Sequence, residues 1–149
     1  MLQDLPRDHW VHLRTGILQE QQGEQEQALL HYKTASEAYP DSFRILFRRS
    51  IVTMNLLQEE ESIRIHQKMI ELRPEHALSL NNLAWMYLTA KDRSMRQPEK
   101  ALELALKSVE LEATIDHIDT LAEAYFQTGQ TAKAIETLRK GIREASYPK

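Results

Sequence analysis

ALSLNNLAWMYLTAKDRSMRQPEKALELALKSVEL, residues 77–111, carries two apolar patterns of helical period with a polar break between them. Leu78, Leu80, Leu83, Ala84, Tyr87 and Leu88 make the first, and Ala101, Leu102, Leu104, Ala105 and Val109 make the second. Lys91 to Gln97 form the break, and Pro98 suits a first helical position, where an N–H would lack a partner anyway. The stretch therefore predicts a helical hairpin. One hairpin cannot bury its apolar faces alone, so the pattern should recur along the chain.

It recurs at an offset of 34 residues. Gly16, Ser50 and Ala84 fall on successive steps and are all small; Ala28 and Ser62 make a second small pair. Tyr32 and His66 make a ring-bearing pair, and Pro40 and Pro74 a proline pair. Past Ala84 the step lengthens to 38, and Leu83, Ala84 and Tyr87 return as Leu121, Ala122 and Tyr125. Tyr87 lies 14 residues before Ala101, whereas Tyr125 to Ala134, Gln19 to Ala28 and Thr53 to Ser62 each span 9, so the third repeat holds an insertion. Repeats over 9–42, 43–76, 77–114 and 115–148 follow, with the extended turn at 91–97, in one domain over 1–149.

Each repeat is expected to be a hairpin, giving eight helices of roughly 12 to 15 residues. Further breaks are expected at Gln22 and Gly23, at Gln58 to Glu60 and at Thr128 to Gln130, with Asp8, Asp41 and Asp116 as N-caps. The small residues have a steric reason. Gly16, Ser50, Ala84 and Ala122 on first helices, and Ala28, Ser62, Ala101 and Ala134 on second helices, let paired axes approach closely.

These residues resemble the tetratricopeptide repeat family, whose 34-position pattern runs from a large residue through Leu-Gly, Tyr, Ala, an aromatic and Ala to Pro. Repeat one matches through Gly16, Gly23, Ala28, Tyr32, Ala35 and Pro40, and repeat four through Leu121, Ala122, Tyr125, Gly129, Ala134 and Leu138. Asn81-Asn82-Leu83-Ala84-Trp85 with Glu99 to Ala105 is similar to bacterial versions of the repeat. Repeat two departs furthest, with Arg49-Ser50 in place of Leu-Gly and Ser62 in place of Ala. The resemblance implies an all-α fold, a right-handed α-solenoid of four antiparallel helix-turn-helix repeats, acting as a protein–protein interaction scaffold.

In that family first helices line a concave face, which implies the second, fifth, sixth, ninth and twelfth positions counted from His9, Phe43, Ala77 and Ile115. Candidate ligand-binding residues are Trp10, Arg14, Arg44, Phe47, Arg48, Ile51, Asn81, Asn82 and Trp85. Arg14, Arg44 and Arg48 would make one end basic, and Asp116, Asp119 and Glu123 the other acidic. Trp10, Phe47, Ile51, Trp85 and Leu88 would form an apolar floor. A peptide would set its apolar side chains on that floor and an acidic group near the arginines, while the two asparagines bond its backbone. The competing reading packs Trp10 and Trp85 against the next repeat and leaves Asp119 and Glu123 on a solvated face. The set Leu13, Ile17, Arg48, Leu78 and Asn82 stands where members that grip heat-shock chaperone C-termini carry Lys, Asn, Asn, Lys and Arg, so that specificity is not expected.

Composition narrows the remaining possibilities. Of 149 residues, 42% are hydrophobic and 28% charged, with only four Gly and five Pro, which describes an ordered helical chain. A net charge of −3 gives no pull toward nucleic acid or an anionic membrane, and Arg14, Arg44, Arg48 and Arg49 with nearby aromatics make only a weak footprint for nucleic acid. Without cysteine there is no disulfide framework or thiolate site. His9 and His12 are three apart but lack a third ligand, and no phosphate loop, paired-His metalloprotease motif or nucleophile elbow is present. No catalysis, metal or cofactor is expected. The Glu59 to Glu61 run reads as solvated and His66 as packed. No targeting segment or membrane span is visible, so a soluble chain, cytoplasmic or periplasmic, is expected. Its abrupt limits around the repeats leave open that it is a piece of a longer protein. Partners are expected to be a protein or peptide, with self-association through Leu138, Ile142 and Tyr147, or attachment to a larger enzyme or assembly protein, as alternatives.

Overall fold

The computed structural model of the chain describes residues 8–146, with side chains from residue 9 to residue 143. The described residues are all-α: α1 (Asp8–Gln21), α2 (Gln25–Ala38), α3 (Phe43–Asn55), α4 (Glu59–Leu72), α5 (Ala77–Thr89), α6 (Pro98–Leu111), α7 (Ile115–Gln127) and α8 (Thr131–Ser146). A short 3₁₀ helix, Arg93–Met95, lies inside the extended turn. Contacts gather in two compact units that divide between Leu72 and Arg73.

In the first unit α1 packs on α2, α2 on α3 and α3 on α4, and the two first helices α1 and α3 also touch. Its core joins Leu13, Ile17, Leu29, Tyr32, Ile45 and Val52, and a second cluster centres on Leu46, Ile65 and Met69. The closeness of α1 and α2 explains Gly16: a Cβ there would lie 2.6 Å from the Tyr32 ring. Gly23 takes φ of 81° at the first turn, as the expected break requires.

At the second turn the break comes earlier than expected. α3 ends at Asn55 and α4 already begins at Glu59, with Leu57 in the left-handed region at φ 55°. The turn needs one positive φ and no glycine stands there, so the sequence places the break two residues late. Arg49, which replaces the usual leucine, reaches across to an ion pair with Glu61, and Arg64 adds a second bond to Glu61 at 2.9 Å. The glutamate run is therefore not simply solvated. Ser50 is buried and satisfies its hydroxyl on the Phe47 carbonyl at 2.8 Å, and buried His66 uses Nδ1 on the Ser62 carbonyl at 2.9 Å.

The second unit repeats the plan: α5 on α6, α6 on α7, α7 on α8, with first helices α5 and α7 in contact. Ala84, Ala101, Ala105 and Ala124 have no exposed surface, and Leu80, Leu83, Tyr87 and Leu121 fill the space around the crossings. Ser108 is buried on α6 and donates to the Ala77 carbonyl at 2.9 Å, tying α6 to the start of α5. Gly141 sits mid-helix, where glycine is unfavourable by about 1 kcal/mol against alanine. A Cβ there would meet Ile118 at 2.8 Å. The insertion is held at both ends, by Gln97 N–H on the Tyr87 carbonyl at 3.0 Å and Arg96 Nε on the Ala90 carbonyl at 2.8 Å.

The caps differ from expectation. Ser42 precedes α3, His76 caps α5 by accepting from Ser79 N–H at 3.2 Å, and Thr114 caps α7 by accepting from His117 N–H at 3.3 Å. Asp41 instead pairs with Lys68 at 3.0 Å, and Asp116 lies inside the first turn of α7, where the helix dipole favours a carboxylate. The side chain of Asp8 lies outside the described residues.

Candidate functional site

In the first unit, α1 and α3 carry the basic and aromatic candidates. Trp10 is 49% exposed, and the Arg44 guanidinium stands 5.2 Å from its ring centroid, a cation–π contact worth about 0.5–1 kcal/mol at an exposed site. Arg48 meets Glu20 at 3.6 Å, and the same carboxylate oxygen accepts the Tyr32 hydroxyl at 2.6 Å. Burial first, and then Glu20, pushes the Tyr32 phenol above its ordinary range, so it stays a donor. Arg14 is exposed. Phe47 is half-buried, stacked 6.4 Å from Phe43 and packed on the Leu46, Ile65 and Met69 cluster, and Ile51 is half-buried. Arg48 thus shares its charge with Glu20, whereas Arg44 on an indole keeps its own. Glu20 is the twelfth position counted from His9, so the spacing places it on the same face; its pairing with Tyr32 and Arg48 is what the sequence did not show.

In the second unit, α5 and α7 line a solvent-open cavity of about 310 Å³. Leu78, Asn81, Asn82 and Trp85 line it from α5, and Asp116, Asp119 and Thr120 from α7. Three sequence candidates, Asn81, Asn82 and Trp85, therefore share one cavity wall. Trp85 is 42% exposed, whereas Asn81 is only 7% exposed and its Oδ1 has no hydrogen-bond partner among the described residues. A buried amide oxygen left unpaired is unusual in a native fold and calls for a ligand or water. Thr120 donates its hydroxyl to the Asp116 carbonyl at 3.0 Å. His117, buried at the same place, has Nδ1 2.6 Å from the Glu112 carbonyl; a carbonyl only accepts, so Nδ1 carries the proton.

Leu88, expected in the apolar floor, is buried to 1% exposure and belongs to the core instead. Apolar spacing alone does not distinguish a floor residue from a core residue. Glu123 accepts from Gln127 at 2.7 Å on the helix surface. Outside this face, His12 and His31 meet through Nδ1 atoms 2.8 Å apart. No group of three or more His, Asp or Glu suited to a metal ion occurs among the described residues, and none of the described helices is long and apolar enough to cross a membrane.

Residues 11–42 and 119–146 each match models described as tetratricopeptide repeat. No curated protein matches the chain by sequence. Among solved structures, MamA from residue 41 to its end, from Desulfovibrio magneticus RS-1, is similar at TM-score 0.81 and 19% identity, over 97% of this chain and 80% of that one. A tetratricopeptide repeat protein from Parabacteroides merdae matches at 0.66 and 17% identity, over 93% of this chain and 66% of the other. The first tetratricopeptide repeat domain of Spaghetti (RPAP3), bound to the HSP90 peptide SRMEEVD, matches at 0.69 and 13% identity, over 87% of this chain and 99% of that domain. At these identities the likeness establishes the fold.

Proposed function

This chain is a tetratricopeptide-repeat protein, and on that premise we propose that it is a non-catalytic module that holds a segment of another protein on its first helices. The observation that carries this is the α5/α7 cavity, where an exposed indole and an unpaired, nearly buried carboxamide share one wall. An aromatic face and a free acceptor are what an extended peptide needs: apolar contact for a side chain and a partner for a backbone N–H. Trp10 with Arg44, and Phe47 with Ile51, supply comparable anchors in the first unit. Aromatic and arginine side chains dominate binding energy at interfaces. The Spaghetti domain, similar in fold, is itself bound to a peptide. Its chaperone-type ligand is not expected here, because Leu13 and Ile17 are buried core residues where a carboxylate clamp would need Lys and Asn.

Capture from lysate by the intact chain and by an Arg48→Glu, Trp85→Ala variant tests the proposal. Partners retained by the native chain should be lost from the variant while its helical circular dichroism is unchanged. Equal capture by both would reject the first-helix site.

A second reading has its own observation. Ile135, Leu138 and Ile142 are spaced three and four apart on α8 and all are exposed, Ile142 by 67%. Such a stripe suits a second copy of the chain; Tyr147, the other residue expected to take part, lies outside the described residues. Light scattering separates the readings, since a strict monomer at high concentration removes this one.

A further inference from the structure

Resting on the peptide-holding reading, we propose that the α5/α7 cavity is a specificity pocket for a basic side chain, Lys or Arg, of the bound segment. The inventory of donors and acceptors around the cavity points there. Thr120 has already given its hydroxyl proton to the Asp116 carbonyl, and His117 its Nδ1 proton to the Glu112 carbonyl. Asn81 Oδ1 remains an acceptor without a donor. Asp116 and Asp119 add two carboxylates, three residues apart on one face of α7. Neither is paired with a basic side chain among the described residues. The first helices of this unit contain no Lys or Arg to neutralise them from within the wall.

A ligand group rich in N–H donors and positively charged answers each of these features at once. An ammonium or guanidinium would bridge the two carboxylates, and a donor from the same residue would satisfy Asn81 Oδ1 once the carboxamide turns toward the cavity. Trp85, on the α5 wall, would take the aliphatic stem or the cation itself against its exposed indole. A volume of about 310 Å³ is enough for one long side chain. An acidic group would meet two like charges and an unpaired acceptor, and an apolar one would leave all three polar groups unanswered.

The test is a positional-scanning library of synthetic peptides presented to the intact chain and to an Asp116→Asn, Asp119→Asn variant. Both asparagines are near-isosteric on an exposed helix face, and circular dichroism confirms folding. The native chain should select Lys or Arg at one position, and replacing that residue by the neutral isostere citrulline or acetyl-lysine should weaken binding about tenfold. The variant should lose that selection while keeping the preferences at other positions. Selected peptides without a basic preference, or a preference unchanged in the variant, would overturn the pocket and leave the peptide-holding reading standing. A library from which nothing is selected would overturn both.

Discussion

Gly16 shows how one atom sets the spacing of a hairpin. Its absent Cβ leaves room for the Tyr32 ring, whose hydroxyl then reaches Glu20, and Glu20 in turn holds Arg48. A packing requirement on α1 is thereby linked to a candidate binding residue on α3. Alanine at position 16 would improve helix propensity by about 1 kcal/mol. It would also place a carbon 2.6 Å from a fully buried ring that has no free end to yield. Overpacking of this kind costs about 1–3 kcal/mol, so Gly16→Ala should lower stability in urea denaturation despite the propensity gain. Ligand capture through Arg48 should weaken in parallel if Tyr32 moves. An unchanged unfolding midpoint would count against the crossing as described.

At the scale of the element, α5 starts on a histidine, and this gives the helix a pH dependence of definite sign. His76 must be neutral for its Nδ1 to accept the Ser79 N–H. Burial, reinforced by the charge of Arg73 and opposed by Glu112, holds its pKa below the ordinary imidazole value. The unfolded chain therefore binds the proton first as pH falls, so the contribution is complete above the ordinary value of about 6.5 and is lost as pH drops through the lower folded value. Thermal melts between pH 7.5 and pH 5, at roughly half-unit steps, should show the midpoint falling with acid. His76→Asn, a strong N-cap at any of these pH values, should flatten part of that slope and stay within about 1 kcal/mol of the native chain at neutral pH. The cap was not legible in the sequence, because histidine is not among the usual capping residues. The hairpins themselves were legible, since period and small residues are set by packing that recurs every repeat. Leu57 and Gly141 were not, as their reasons lie in one turn and one neighbour, Ile118. In the site, Asn81, Asn82 and Trp85 could be placed on one face from spacing alone. That Asn81 Oδ1 stays unpaired while Thr120 and His117 bond main-chain carbonyls was not legible, since side-chain bonding of that kind leaves no periodic trace.

Across the whole molecule the two units present first-helix surfaces of opposite charge. In the first, Arg14 is exposed and Arg44 keeps its charge over Trp10, while Arg48 is largely answered by Glu20. In the second, Asp116 and Asp119 stand without basic partners among the described residues. Because the chain's net charge is only −3, this contrast is local and invisible in bulk composition. A ligand segment held on either unit should therefore carry charge opposite to that unit's surface, so that each sign answers to its own unit. Arg14→Glu with Arg44→Glu should abolish selection of acidic residues in library peptides and leave basic selection intact; Asp116→Asn with Asp119→Asn should do the reverse. Exposed charges are screened over about 10 Å at 0.1 M salt, so raising ionic strength from about 0.05 to 0.5 M should weaken the selected peptides while sparing contacts made by Trp10, Phe47 and Trp85. Residual binding at high salt would then be lost in Trp85→Ala, which separates the apolar anchor from the charges around it. Two variants that altered the same peptide positions would show instead that charge acts through the field of the whole chain rather than at two surfaces.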